Sequence, residues 1–369
     1  MGNTSIDPYE TQGTLRRTTY SFGNSSAFGY ALDKLANEEL SWETTTTLDI
    51  GMDFSFWRGR LNGTIDWYQS NTTDLLLDRA LPWTSGFPRI LDNIGETQNT
   101  GIEVSLSSVN FDSQEPGGFR WTTQLNWFRN VEKIVSLSFF DENGNPLDDV
   151  GNRWFIGQPI NVWYDFEKIG IWQKDEVDEA ATYGDLPGEI KLDDKNDNGM
   201  YDGDDRVILG SDVPDWSAGL TNRFEYKNFD LSIFFFARVG HTIRSNFHVG
   251  NNSLFARYNN LNVDYWTVDN PTNAFPRPNR NQESPKYSST MGYFAGDYLK
   301  LRNVTLGYNF PASVTEKLKM SRLRAYVSAQ NPWFLAKYET YDPEAGDDNE
   351  VESDIPTTKM FLFGFNIQF

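Results

Sequence analysis

Apolar residues alternate with polar or small ones along most of this chain, and the alternating runs come in pairs. Leu48, Ile50, Met52, Phe54 and Phe56 share one parity, and after Trp57-Arg58-Gly59-Arg60 the pattern resumes at Leu61, Gly63, Ile65 and Trp67. A period of two predicts a β-strand, and the short polar break predicts a tight hairpin. Ile102, Val104 and Leu106 pair in the same way with Phe119, Trp121, Thr123, Leu125 and Trp127. Ala218 to Tyr226 and Phe229 to Val239 form a third pair, with a turn at Lys227-Asn228, and Tyr298–Phe310 with Ser321–Gln330 a fourth. Lys359–Phe369 is the last strand, and a weaker one lies near Thr14–Tyr20. The expectation is nine or ten strands.

The connections alternate in length. Those near residues 57–60, 110–118, 226–228 and 311–320 are short, whereas 70–98, 131–215, 240–297 and 331–358 are long. In an up-and-down sheet every second connection falls on the same side. All short turns therefore share one edge and all long loops the other, as in a membrane barrel with short periplasmic turns and long extracellular loops. The expected strands, of 9 to 13 residues, also fit the roughly 9–11 tilted residues that cross a bilayer.

The faces of the last strand divide cleanly. Phe361, Phe363, Phe365, Ile367 and Phe369 lie on one side, and Leu362, Gly364, Asn366 and Gln368 on the other. Lipid outside and a watery lumen inside ask for that division, and Trp42, Trp67-Tyr68 and Trp127 sit where an aromatic girdle would lie. Composition agrees. The chain holds 27 Phe, 17 Tyr and 12 Trp, yet only 38% of residues are hydrophobic and mean hydropathy is -0.57. No apolar run approaches the length of a membrane helix. The fold class expected is all-β: a transmembrane antiparallel β-barrel occupying residues 1–369, with 131–215 as a long extracellular loop. No basic, apolar, small-residue leader opens the chain, so any export signal is expected upstream, in a longer parent. A net charge of -20 argues against nucleic acid, and the absence of Cys excludes disulfides and thiolate metal sites.

One segment has the spacing of a calcium loop. Asp194, Asn196, Asn198, Asp202 and Asp205 fall at ligand positions, Gly199 at the sharp turn, and Met200 where a carbonyl would coordinate. A hard cation needs six or seven oxygens, and the chain must curl to supply them. Asp205 is shorter than the Glu that usually closes such a loop, and no flanking helix pair is evident. The alternative is an acidic turn without an ion. A second acidic run holds Asp342, Glu344, Asp347, Asp348, Glu350, Glu352 and Asp354, and is expected as a charged solvated loop, a ligand mouth or a cation site. His241 and His248 lack metal-ligand spacing and are read as ordinary loop residues. Trp154, Trp163, Tyr164, Trp172, Phe255, Tyr258, Tyr265 and Trp266 could pack the long loops or stack on a ligand. No nucleophile elbow or phosphate loop is present, and no pair of carboxylates stands out for glycosidic chemistry.

Several stretches carry a family resemblance, in order along the chain. They are Leu40-Ser41-Trp42-Glu43, Thr73-Asp74-Leu75-Leu76-Leu77, Ser85-Gly86-Phe87, Asn93-Ile94-Gly95, Asn99-Thr100-Gly101-Ile102-Glu103 and Pro214-Asp215-Trp216-Ser217-Ala218-Gly219. Tyr298-Leu299-Lys300-Leu301-Arg302-Asn303-Val304-Thr305-Leu306-Gly307-Tyr308, Tyr341-Asp342-Pro343-Glu344 and the aromatic terminus complete the set. The chain resembles the C-terminal barrel region of SusC/RagA-type TonB-dependent outer-membrane receptors. That resemblance implies a 22-stranded parent of which these would be roughly the last ten strands, with the plug domain and the TonB-contacting segment outside the chain. It implies TonB-dependent uptake of glycans or peptides, a SusD-like lipoprotein partner, an outer-membrane location and no enzymatic step. It also gives Phe369 the look of the terminal aromatic read by the barrel-assembly machinery.

Two functions compete at this point. One is active transport through the barrel. The other is a soluble β-rich protein that binds or hydrolyses glycans. They differ in one observable: the phenylalanines of the last strand face outward in the first and pack into a core in the second.

Overall fold

The computed structural model describes residues 11–250, 262–282, 284–344, 350–351 and 357–369. The chain forms two compact units: residues 1–50, 67–101 and 131–161, and residues 51–66, 102–130 and 162–369. Strands β1 (Thr14–Phe22) and β2 (Ser25–Lys34) form a hairpin of their own. β3 (Thr44–Phe56) and β4 (Leu61–Thr73) follow, then the short pair β5 (Leu76–Ala80) and β6 (Arg89–Asn93), then β7 (Glu96–Asp112) and β8 (Arg120–Ser136). The long segment after β8 contains β9 (Val162–Phe166), β10 (Lys168–Ile171), β11 (Ile190–Leu192) and β12 (Arg206–Ser211). β13 (Trp216–Tyr226) and β14 (Phe229–Val239) form a hairpin, followed by β15 (Thr242–Ser245), β16 (Tyr293–Ala295), β17 (Tyr298–Asn309), β18 (Arg322–Ala336), β19 (Glu350–Val351) and β20 (Met360–Gln368).

Nine of these strands make one sheet in the order β20–β18–β17–β14–β13–β8–β7–β4–β3. They are the nine that the alternation predicts. The weak strand near Thr14 is also present, and it pairs with β2, which the alternation does not predict because Ser25, Ser26 and Gly29 dilute the Phe28, Tyr30, Leu32 pattern. β7 and β8 reach 17 residues each, longer than expected, because polar residues continue the pairing past the apolar stretch.

In the first unit the family-like motifs meet one another. Asn93 receives the Ser41 backbone amide at 2.7 Å and donates its own amide to the Ser41 and Asp74 carbonyls at 3.0 and 2.7 Å. The Leu76 amide donates to Glu43 at 2.9 Å, and Ile94 is buried. These polar side chains satisfy backbone groups that leave the strand ladders, which an interior chain requires.

In the second unit the register from β8 to β20 sorts the side chains by face. One row reads Trp121, Phe224, Leu231, Leu306, Val327 and Phe363, and the next row on that face continues to Ala325 and Phe365. The opposite face reads Thr122, Arg223, Ser232, Thr305, Ser328 and Leu362. A strand period of two keeps these sets apart, since a slip of one residue would exchange them. Phe361, Phe363 and Phe365 are 76%, 68% and 55% exposed. No core covers them, so the soluble-sandwich alternative loses its central requirement. A sheet whose exposed face is this aromatic suits hydrocarbon.

Two glycines shape the polar face. A Cβ on Gly307 would lie 2.3 Å from the Arg324 guanidinium, and one on Gly364 would lie 2.6 Å from the Tyr326 ring. Both large side chains lie flat across the neighbouring strand because nothing projects from it.

Candidate ligand cavity and channel wall

Apart from Trp154, which lies in the first unit, all features described next belong to the second unit. Its loops have a hydrophobic core of their own, formed by Phe166, Ile171, Ile190, Leu192, Trp266 and Met291. β9 pairs with β12 and β10 with β11, so the 131–215 segment is largely structured rather than an open loop. This settles much of the question about the loop aromatics. Trp172 is fully buried with the Lys191 ammonium 4.1 Å from its ring centre. Trp266 is buried and donates to Gln173 at 2.9 Å, while Trp163 donates to the Thr242 carbonyl at 2.8 Å. Trp154, Tyr164 and Tyr265 are half-buried. Phe255 and Tyr258 lie outside the described residues.

A cavity of 690 Å³ lies within this layer, with Phe166, Phe275, Tyr293, Phe294, His241 and Asp297 among its lining residues. Each of its charged groups has a polar partner. Lys168 donates to the carbonyls of Asn273 and Ala274 at 2.9 and 2.6 Å, and burial pushes its ammonium below the usual lysine range. Glu167 pairs with Lys195 at 2.8 Å, and Lys337 with Asp297 at 2.6 Å. Burial raises the Asp297 carboxyl, but the Gly240 amide and the Lys337 ammonium outweigh it and hold the group below the ordinary value. His241 is 3% exposed, and its Nδ1 has no hydrogen-bond partner. Burial, reinforced by the Arg238 charge, lowers its imidazole to about 4, so the ring is neutral at physiological pH. The result is an aromatic cavity with an uncommitted neutral imidazole, whose two carboxylates are ion-paired and whose Lys168 is held by carbonyls. Such a cavity can hold an apolar or hydroxylated group by stacking and one hydrogen bond.

The second histidine is also more than an ordinary loop residue. His248 is buried, its Nδ1 lies 2.8 Å from Ser245 Oγ, and Tyr338 OH lies 2.9 Å from the same oxygen. Burial lowers its imidazole too.

Beside the cavity, the strand Tyr298–Asn309 is tied to the last long loop by buried charge. Lys300 is 1% exposed; its ammonium bonds the Asp342 carboxylate and reaches Glu344 at 2.9 Å. Arg302 pairs with Glu344 at 2.5 Å, and the Tyr298 hydroxyl donates to it at 2.6 Å. Thr357 closes the group from the far side of the loop, donating to Asp342 at 2.7 Å. A β-bulge between Leu301 and Asn303 leaves Arg302 without a partner position, which lets both cations reach one carboxylate. Burial raises the Asp342 carboxyl, but Lys300, Thr357 and the Glu344 amide outweigh it and hold it below the ordinary value. Two members of the second acidic run are therefore ion-pair partners, Asp342 buried and Glu344 half-buried. Glu350 likewise pairs with Arg244 at 2.8 Å. Asp347, Asp348, Glu352 and Asp354 lie outside the described residues.

The calcium-like loop curls as its spacing suggests. Asp194 accepts the Gly199 amide at 2.8 Å and the Tyr183 hydroxyl at 3.0 Å, Asn196 accepts the Asn198 amide at 3.0 Å, and Asn198 accepts the Met200 amide at 2.8 Å. Asn198 also donates to Asp202 at 3.1 Å. Asp205 is completely buried and accepts the backbone amides of Lys195 and Asp202 at 2.9 and 2.8 Å. Among the described residues, no three His, Cys, Asp or Glu side chains converge as a metal cluster.

The family model described as "TonB dependent receptor-like, beta-barrel" matches residues 8–331. TonB-dependent receptor P3 of Formosa agariphila is 33% identical over the whole chain, which covers 38% of that protein. TonB-dependent receptor SusC of Bacteroides thetaiotaomicron is 28% identical over 95% of the chain and 34% of its own length. Among solved structures, the RagAB peptide transporter matches the whole chain at a TM-score of 0.79 and 25% identity, over 40% of the matched chain. The chain thus spans about two fifths of the length of the relatives it matches.

Proposed function

This chain belongs to the TonB-dependent receptor-like β-barrel family of outer-membrane proteins, and on that premise we propose that it forms part of the wall and mouth of a channel that imports large nutrients. The supporting observation is the two-faced sheet: an exposed aromatic face for lipid, a polar face for a lumen, and a structured loop layer joined to the same strands. The cargo is a glycan or a peptide, energy comes from TonB acting on parts of the receptor beyond this chain, and a SusD-like lipoprotein closes the mouth. The named relatives support this: one is SusC, and another is a peptide transporter built as RagAB. No covalent chemistry is required. Selectivity arises from aromatic platforms and from the matching of charge along the path.

In this reading the aromatic cavity is where cargo first stacks. Phe294→Ala combined with Tyr293→Ala, in the full-length receptor, lowers cargo uptake by cells at least fivefold while surface abundance is unchanged. Unaltered uptake would remove the cavity from the import path.

The loop 194–205 is proposed as a structural Ca²⁺ site, with Asp194, Asn196, Asn198, Asp202 and the Met200 carbonyl as the donor set and Asp205 holding the loop's backbone. The support is the curl that turns these oxygens towards one short stretch of chain. A bound ion would add a rigid crosslink to the extracellular layer. Metal analysis of the full-length receptor checks it: one calcium per chain is lost when Asp194 and Asp202 are both changed to Asn.

A further inference from the structure

A second cavity, of 560 Å³, opens on the polar face at the end of the sheet that carries the short connections. It is lined by Arg223, Arg322, Arg324, Asn366, Ile367 and Gln368. Three guanidinium groups around one cavity are unusual in a chain whose net charge is -20. Most of the charge here is already matched. Arg324 grips Asp230 through Nε at 2.9 Å and Nη2 at 2.5 Å. Arg223 pairs with Glu225 at 3.1 Å, and Arg120 stands 3.8 Å from Asp112 and 3.9 Å from Glu225. Among the described residues, three guanidinium groups thus meet the three carboxylates Asp112, Glu225 and Asp230. Arg322 is the remainder: it donates to the Asn309 side-chain oxygen at 3.3 Å, a neutral acceptor. Register places Asn366 opposite Arg324 and Gln368 opposite Arg322, so two carboxamides stand beside it.

We propose that this cavity binds a single carboxylate group, with Arg322 as its guanidinium partner and Asn366 and Gln368 as flanking hydrogen-bond donors. Among the described residues Arg322 is the one guanidinium of the four with no carboxylate in ion-pair contact, and a single such cation suits a monoanion better than a phosphate dianion. The planar fork of Arg fits the two carboxylate oxygens. The inference rests on charge matching and does not depend on the import reading or on the aromatic cavity. The carboxylate has two sources: a solute moving along the wall, or a residue of the full receptor outside this chain.

The test uses the full-length receptor in detergent micelles. The probes are acetyl-trialanine with a free terminal carboxylate and the same peptide as its C-terminal amide, measured by calorimetric titration. A solute site gives at least fivefold tighter binding of the acid, and R322Q abolishes that preference. A site filled by the receptor itself gives no acid preference, but the thiol of the R322C variant then reacts with a methanethiosulfonate reagent at least tenfold more slowly than in the urea-unfolded protein. Either result supports the carboxylate site and identifies its source. Absence of an acid preference together with prompt thiol labelling overturns it. Heat-modifiability on gels confirms that both variants fold.

Discussion

Asp205 and Asp342 are both buried loop carboxylates, and they are satisfied by different kinds of donor. Asp205 accepts two backbone amides from residues no more than ten positions away. Asp342 faces the Lys300 ammonium, 42 positions away, together with Thr357 from the other flank of its loop. The first arrangement is local: the loop closes on itself and commits no cation from elsewhere. The second is non-local, so a loop and a strand of the large sheet share one buried charge network. Partial charges are enough where the chain can curl round the carboxylate. A carboxylate held against a strand needs a full counter-charge, because burying an unpaired ion is expensive. The contrast predicts where each region gives way.

The largest effect is expected at the non-local site. Lys300→Met leaves the buried Asp342 carboxylate without a cation, while the half-buried Glu344 keeps Arg302. Removing one partner of a buried pair costs about 3–5 kcal/mol. The loss should release the loop between residues 337 and 357, read as new protease cleavage there in the folded receptor. Lys300→Met combined with Asp342→Leu should recover much of the protection, because the uncompensated charge is gone. Unchanged protection in the single variant would mean that the ion network does not hold the loop.

These two arrangements were not equally legible in the sequence. The strands were, because Phe361, Phe363 and Phe365 on one parity and Gly364 and Asn366 on the other record a local rule of period two. The curl at 194–205 was legible for the same reason, since its donors and acceptors are close neighbours. The Lys300–Asp342 pair was not. Both stretches stood out as family-like, yet nothing in a one-dimensional reading joins Tyr298-Leu299-Lys300-Leu301-Arg302 to Tyr341-Asp342-Pro343-Glu344. The signal available was two cations, Lys300 and Arg302, two positions apart in a predicted strand, which implies carboxylates somewhere against it. His241 was missed for a similar reason, as its character comes from burial and the Arg238 charge rather than from its neighbours.

His241 extends the comparison to a third buried ionisable group. Its Nδ1 has no partner, so it adopts neither solution and stays neutral. Its pKa falls from 6.5 to about 4 in the folded protein. Between those values the unfolded chain binds a proton that the folded chain refuses. Stability is therefore complete above about pH 6.5 and is lost as pH falls towards 4, by up to about 3 kcal/mol. The check is the urea midpoint of the full-length receptor across that range. His241→Leu should flatten the slope. The Asp342 network, whose carboxyl is held below its ordinary value, should stay intact across the same window, because it weakens only as pH falls below the usual carboxylate range.

The smallest effect is expected at the local site, and it also separates hydrogen bonding from ion binding there. Asp205→Asn keeps the size of the side chain but leaves one oxygen to accept two amides, and its new NH₂ faces one of them. A buried donor left unsatisfied in this way costs about 1–2 kcal/mol, which should appear as faster amide exchange at Lys195 or Asp202. The local reading makes this loss independent of chelator, because both amides belong to the loop itself. Wild-type protein treated with EGTA supplies the second axis. If calcium binds the Asp194, Asn196, Asn198 and Asp202 oxygens, chelation alone speeds exchange at Asn198, Gly199 and Met200, whose amides already point at the same side chains. If exchange at those positions ignores EGTA while Asp205→Asn loosens the loop, the curl is held by its own hydrogen bonds, and the contrast with the cation-held loop at Asp342 becomes sharper.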